Sequence, residues 1–212
     1  MIPIDRLVLG TAKFGLPSYC YNSTSRPTAH ESLAILRHAW RKGIRAYDCG
    51  LGYGDAIALL DAAGIPSGYV TMKVRLPLNV PPDFGDYQWL IHNPTVAEME
   101  AGLIPATCGV SVYTVAEVEA ARRLGIAPIQ APASCLNPAV AVKYGRAPFL
   151  QGVLLRDPSL APPALREAVA EFQAIGRGIN EHLVTLALHA AHGDRVVFGV
   201  SSIKQLDEIL WA

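Results

Sequence analysis

Asp48-Cys-Gly-Leu-Gly-Tyr53-Gly-Asp55 is the stretch that decides how this 212-residue chain is read. It follows Ala39-Trp-Arg-Lys-Gly-Ile-Arg-Ala-Tyr47, and the two read together as the end of a buried strand opening into a glycine-rich loop. A helix begins at about Asp55. Gly50, Gly52 and Gly54 let the backbone turn sharply and come close to a ligand. A carboxylate, Asp48, stands at the strand end, and a phenol, Tyr53, stands in the loop. In a barrel of parallel strands the C-terminal strand ends carry the chemistry. Taken alone, the stretch fits an ordinary strand-to-helix turn with an N-cap aspartate equally well.

Working outward, Leu7 to Thr11 is a first short apolar strand, and Lys13 to Thr28 reads as loop, punctuated by Gly15, Pro17 and Pro27. His30 to Lys42 is helical, with Leu33, Leu36, Ala39 and Trp40 on one face and Gly43 as its stop. Arg45 to Asp48 is strand two, Asp55 to Ala63 a short helix, Tyr69 to Val74 strand three and Tyr87 to His92 strand four. Val96 to Ala101 gives one or two helical turns. Thr107 to Val112 is strand five, Val115 to Leu124 a helix, and Pro128 to Ala133 strand six. Pro138 to Tyr144 reads as a brief helix and Pro148 to Leu155 as strand seven. Pro162 to Ile175 and Ile179 to Ala191 are helical patterns. Arg195 to Val200 is strand eight, and a terminal helix starts at Ile203.

Eight short β-runs, mostly alternating with helices, imply a compact (β/α)₈ TIM barrel spanning residues 1–212 as a single domain. An open doubly wound sheet would place G-x-G-x-x-G after its first strand, and Gly10-Thr-Ala-Lys-Phe-Gly15 does not match. Hydrophobic residues make up 51% of the chain and charged residues 17%, which suits one large core. Lys+Arg and Asp+Glu both number 18, so no basic field for nucleic acid arises and no polybasic membrane patch either. The start lacks signal-peptide character and no apolar run is long enough for a membrane span, so a soluble, cytoplasmic protein is expected. The cysteines Cys20, Cys49, Cys108 and Cys135 show no C-x-x-C spacing and read as reduced thiols.

Four ionisable groups then fall at the ends of three successive strands: Asp48 with Tyr53 just beyond it, Lys73, and His92. A barrel places those ends around one mouth. The chemistry they could share is carbonyl reduction by hydride. A tyrosine hydroxyl can protonate the developing alkoxide, although its free pKa is near 10. An ammonium at Lys73 lowers that pKa, Asp48 holds the lysine charged and oriented, and His92 donates to the substrate oxygen. Each residue also has a plain structural reading: Asp48 as a helix cap, Tyr53 as a half-buried loop aromatic, His92 as a satisfied core imidazole. Lys73 at the end of an apolar strand fits such a reading least, because unpaired buried lysines are rare. A metal-dependent hydrolase on the same barrel lacks support, since His92 has no partner at ligand spacing.

With those residues in place, the chain resembles the aldo-keto reductase superfamily. The matching pieces run in family order: Leu7-Val-Leu-Gly-Thr-Ala-Lys-Phe-Gly15, Asp48-x4-Tyr53-Gly, Lys73, Leu90-Ile-His92-Asn-Pro, Gly109-Val-Ser-Val-Tyr113, Gln130, Phe149-Leu-Gln-Gly152 and Gly199-Val-Ser-Ser-x-x-Gln205-Leu. The segments at 109–113 and 149–155 look closest to the bacterial branch associated with surface-polysaccharide and spore-coat gene clusters. The resemblance implies the tetrad Asp48, Tyr53, Lys73 and His92, a nicotinamide cofactor (usually NADPH, with NADH as the alternative), a small-molecule carbonyl substrate and no metal. It implies Ser111 and Gln130 on the carboxamide and Arg146 beside the nicotinamide, where many relatives carry tyrosine. Leu150, Gln151, Gly152, Gly199, Ser201 and Ser202, with Gln205, would line the phosphates and adenosine.

Three departures from the pattern stand out. A Ser-Asn pair common in strand five is Ser111-Val112 here. The adenosine side, often basic with a Glu-Asn pair, carries Gln205 and Glu208-Ile209, which puts a 2′-phosphate preference in doubt. The span from Lys73 to His92 is short, and Pro77, Pro81 and Pro82 exclude a regular helix between Arg75 and Asp86. A proline-rich strap in place of helix three is expected there, leaving the outward residues Val70, Met72 and Trp89 under-covered and implying a homodimer, the alternative being that Leu76, Leu78 and Val80 fold down and seal the gap in a monomer. The shortening also admits a catalytically impaired barrel that binds cofactor or serves as a scaffold.

Overall fold

The computed structural model describes residues 2–17, 19, 26–78, 86–133, 142–179 and 181–212. Among these, eight parallel strands close into a barrel in sequence order. They are β1 (Leu7–Gly10), β2 (Tyr47–Gly50), β3 (Val70–Val74), β4 (Gln88–His92), β5 (Gly109–Ser111), β6 (Ile129–Pro132), β7 (Tyr144–Arg146) and β8 (Arg195–Phe198). The seam closes where Leu7, Val8 and Leu9 pair with Val196, Val197 and Phe198. The helices are α1 (Ala12–Gly15), α2 (Ala29–Arg41), α3 (Ala56–Ala62), α4 (Val96–Glu100), α5 (Val115–Arg123), α6 (Arg166–Gly178), α7 (Leu183–Ala190) and α8 (Ile203–Trp211).

Side chains alternate along each strand, so a period of two sorts the chain into an outer and an inner set. Leu7, Leu9, Tyr47, Cys49, Val70, Met72, Val110, Ile129, Val196 and Phe198 belong to the main core cluster, shared with helix residues such as Ile35, Leu36, Val118 and Leu206. The intervening residues turn inward. Val8, Ala46, Tyr144 and Val197 make a small separate apolar cluster. Toward the C-terminal strand ends come Asp48 of β2, Lys73 of β3, Ser111 of β5 and Gln130 of β6, all buried. The barrel interior is thus apolar at one level and polar at the next. Three helices open on the same device: Thr28/Glu31, Thr95/Glu98 and Thr114/Glu117 form reciprocal capping boxes at α2, α4 and α5.

Several expectations need correction. Strand seven is not Pro148 to Leu155 but Tyr144–Arg146, paired with both β6 and β8. Leu150, Gln151 and Gly152 have φ of 45°, 57° and 87°, in the left-handed region, which no strand accommodates. That apolar run is 3₁₀ over Leu150–Leu155, and Val153 anchors a satellite cluster with Ala161 and Val169. Of the brief helix expected at 138–144, residues 138–141 lie outside the described residues, and Tyr144 belongs to β7. Helix α1 interrupts the expected loop after Lys13. Asp55 precedes α3 without capping it through its side chain, which instead pairs with Arg26 at 2.8 Å on the surface.

The middle of the expected strap, 79–85, lies outside the described residues. The under-covering expected beside it is not found. Val70, Met72 and Trp89 are only 2%, 1% and 8% exposed in the single chain. Leu76, Leu78 and Tyr87 pack against the core beside them, and Tyr87 meets Trp89 edge-on with ring centroids 5.7 Å apart. The bare apolar face that called for a second copy is absent among the described residues.

Candidate active site

The inward polar level comes together at the C-terminal ends of the strands. Lys73 Nζ donates to Asp48 Oδ1 at 2.7 Å, with both side chains almost wholly buried. Gln130 closes a ring with this pair: its Nε2 donates to Asp48 Oδ2 at 2.8 Å, and its Oε1 accepts from Lys73 Nζ at 3.2 Å. Ser111 Oγ donates to the same Oε1 at 2.9 Å. The reading of Asp48 as a helix cap is excluded by these bonds. Burial works to lower the Lys73 pKa, but Asp48 and the Tyr53 phenol outweigh it, so the ammonium is held above its ordinary range.

Tyr53 lies over this pair. Lys73 Nζ stands 5.2 Å from its ring centroid. The ring rests on Gly50, where a Cβ would come within 3.1 Å of it. The loop is held from the other side by α1, since a Cβ on Gly15 would overlap the Tyr53 carbonyl oxygen. Gly54, at φ +52°, lies against the Gly15 carbonyl. Gly52, by contrast, has open space around it. Burial is the largest influence on the phenol and raises it, while Lys73 pulls it down. The net result is a pKa of about 12, above rather than below the free value. The expected lowering by Lys73 is present but is the smaller effect in a site this dry.

His92 ends β4 on the same side. Burial, then Lys73, Arg146 and Arg75 in turn, depress it to about 4, so the imidazole is neutral at ordinary pH. Its Nε2 is 3.5 Å from the Tyr113 hydroxyl, and its Nδ1 is buried without a partner among the described residues. Arg146 at the end of β7 stacks on Tyr113, guanidinium carbon 4.2 Å from the ring centroid, and donates to the Val112 carbonyl at 2.9 Å.

Beside the ion pair opens a cavity of about 390 Å³. Asp48, Lys73 and Arg146 line one end, and Ser201, Gln205, Glu208 and Ile209 line the other, along α8. Gln151, Gly152 and Gly199 also line it. Tyr53, His92, Leu150 and Ser202 do not line it, and Ser202 instead caps α8 by accepting from the Gln205 amide. Ser111 and Gln130 do not reach it either, being spent on one another and on the ion pair. Lys13, Tyr19, Arg156 and Phe198 also line the cavity, none of them an expected site residue. Lys13 follows strand one as Lys73 ends strand three, a signal of the same kind. Arg156 sat just past the misread strand seven and carried none.

No protein-family model matches the sequence, and no curated protein matches it. Solved structures do. An aldo/keto reductase from Klebsiella pneumoniae in complex with NADP and acetate is 15% identical, with 96% of this chain aligned to 84% of that one at a TM-score of 0.59. The chain has the aldo-keto reductase fold. The thermostable aldo-keto reductase Tm1743, in complex with the inhibitor epalrestat, is 16% identical over 99% of this chain and 89% of its own, TM-score 0.56. The aldo/keto reductase of Brucella melitensis is 15% identical over 97% and 87%, TM-score 0.53.

The cavity wall combines open backbone with cationic side chains. Gly199 lines the cavity, and a Cβ there would meet nothing within 4 Å, so its backbone stands open to a ligand. Lys13, Arg146 and Arg156 give the walls a cationic character suited to phosphates. Among the described residues no group of histidine, cysteine and carboxylate side chains could hold a metal ion, and no helix is long and apolar enough to cross a membrane.

Proposed function

We propose that this chain reduces an aldehyde or ketone to the alcohol with a reduced nicotinamide dinucleotide. The observation that carries the reading is the buried Asp48–Lys73 ion pair under the Tyr53 ring, opening directly into a cavity that runs to α8. Gly199 and Gln151 with Gly152 would hold the phosphates, and the bound cofactor supplies the hydride. Tyr53 delivers the proton to the carbonyl oxygen. A pKa of about 12 keeps it protonated across the neutral range, as a general acid in the reducing direction requires. Lys73 stabilises the phenolate left behind, and Asp48 keeps Lys73 charged. Neutral His92 donates a hydrogen bond to the same oxygen. Ser111 and Gln130, which the resemblance put on the carboxamide, hold the ion pair in register instead.

The test follows cofactor oxidation by absorbance against a panel of aldehydes and ketones. Tyr53→Phe is expected to keep cofactor affinity and to lose about 10²–10⁴-fold in kcat. The reverse reaction needs ionised Tyr53 as base, so alcohol oxidation should climb with pH through the alkaline range while carbonyl reduction stays level. A fully active Tyr53→Phe enzyme overturns the assignment.

A further inference from the structure

Arg75 stands one residue past β3 and beside His92. Val74 pairs with Ile91, and the next residues along the two strands are Arg75 and His92. The period of two puts Arg75 on the same side of its strand as Lys73. Its side chain is exposed and makes no hydrogen bond or ion pair among the described residues. Arg146 approaches the same imidazole from β7. The Tyr113 ring and the Val112 carbonyl fix its guanidinium, and its buried Nε has no partner among the described residues. Both arginines act on His92 as nearby positive charges. The carboxylates of the surrounding elements are already spent or distant. Asp48 holds Lys73, Glu98 caps α4 at Thr95, and Glu117 caps α5 at Thr114 and accepts from the Tyr113 amide. Glu100 pairs with Arg123 past the far end of α4, Asp86 precedes β4 at the opposite end of the barrel, and Glu208 lies along α8. Two guanidinium groups thus flank His92 with no carboxylate of their own among the described residues. Partial burial of an unpaired charge is costly, and an anion brought by a ligand offsets that cost.

We infer that the carbonyl substrate carries an anionic group, a carboxylate or a phosphate ester, and that Arg75 binds it. The inference rests on the activity proposed above, which puts the reacting carbonyl oxygen between Tyr53 and His92. Arg75 then stands one strand spacing, roughly 5 Å, to the side of His92. That offset suits an anion a few bonds away from the carbonyl carbon. The guanidinium fork takes two oxygens of either anion at once. Arg146, held by Tyr113 and Val112, adds positive potential without having to move. A neutral aldehyde leaves Arg75 in water and gains nothing from it. Hydrogen bonds between charged groups are strong enough for a preference of about tenfold or more.

Steady-state kinetics on the whole chain would compare succinic semialdehyde with its amide, and glycolaldehyde phosphate with glycolaldehyde. In each pair only the first member carries the anion. Expected is a kcat/KM about tenfold or more higher for the anionic member of at least one pair, and the pair that shows it identifies the anion. Arg75→Gln should remove the preference by raising KM for the anionic member far more than for the neutral one, and Arg75→Lys should restore part of it. The exposed position of Arg75 lets its variants fold. Raising the salt should narrow the preference. Equal use of both members in both pairs, or a preference that Arg75→Gln leaves in place, overturns the inference while the activity stands. If no carbonyl is reduced, calorimetry with the same two anionic compounds decides. Binding that Arg75→Gln abolishes sustains the anion site and defeats the proposed activity. No binding, or binding that survives Arg75→Gln, defeats both.

Discussion

His92 sits where three cations bear on one imidazole. Lys73, Arg146 and Arg75 all disfavour its protonation, and burial disfavours it more than any of them. The folded-state pKa of about 4 lies below the ordinary value near 6.5. The unfolded chain therefore takes up the proton first as pH falls. Stability should be independent of this group above about pH 6.5 and should decline between 6.5 and 4, where only the unfolded histidine is charged. Thermal melts of the parent and of His92→Gln across that window would isolate the effect. The parent is expected to lose stability relative to the variant as pH falls, and parallel curves would show that His92 is not held neutral. The same neutrality makes His92 a donor of a single hydrogen bond in the site, with its charge withheld.

At the scale of elements, the placing of Tyr53 depends on α1, four residues long, and on the glycines that let it approach. Gly15→Ala would drive a methyl group into the Tyr53 carbonyl oxygen and push the loop from the ion pair. Urea titration is expected to show a loss of about 1–3 kcal/mol, the range typical of overpacking, with a fall in kcat. Gly52→Ala, in open space, is expected to stay within about 0.5 kcal/mol of the parent. Equal effects at the two positions would remove α1 from the account. The sequence made most strands legible because their outward residues are apolar and their loops are marked by glycine or proline. It hid β7, since Tyr144-Gly-Arg146 has only three residues and turns its two large side chains inward. The misleading apolar run at 149–155 packs through left-handed turns that no hydropathy pattern records. Asp48 and Lys73 could be read as a pair because polar groups at buried strand ends need partners. That Gln130 joins them could not, since its bonds cross the barrel between strands far apart in sequence.

Across the whole molecule, the cavity touches residues of β1, α1, β2, β3, β7, β8, α7 and α8, and the turns after β7. A ligand held there ties together both ends of the described chain across the β1–β8 seam. Binding to the folded state alone stabilises by about 2.7 kcal/mol at 100 times the dissociation constant. For a chain of this length that corresponds to a rise in Tm of roughly 5–10 °C. Differential scanning fluorimetry with the preferred cofactor should show a saturable rise of that order, and an unmoved Tm at saturation would show that the ligand does not engage the fold.

Cys49 stands one step along the strand from Asp48, on the outer side of the barrel wall, fully shielded beneath the helices with its thiol pushed up to about 11. A thiol in that condition presents almost no thiolate to an alkylating reagent while the wall is closed. Each modification at Cys49, read by peptide mass spectrometry, therefore records an occasion on which the strand was laid bare. The chain thus carries an intrinsic clock for excursions from its native state, set beside the chemistry but outside it, and readable without introducing a label.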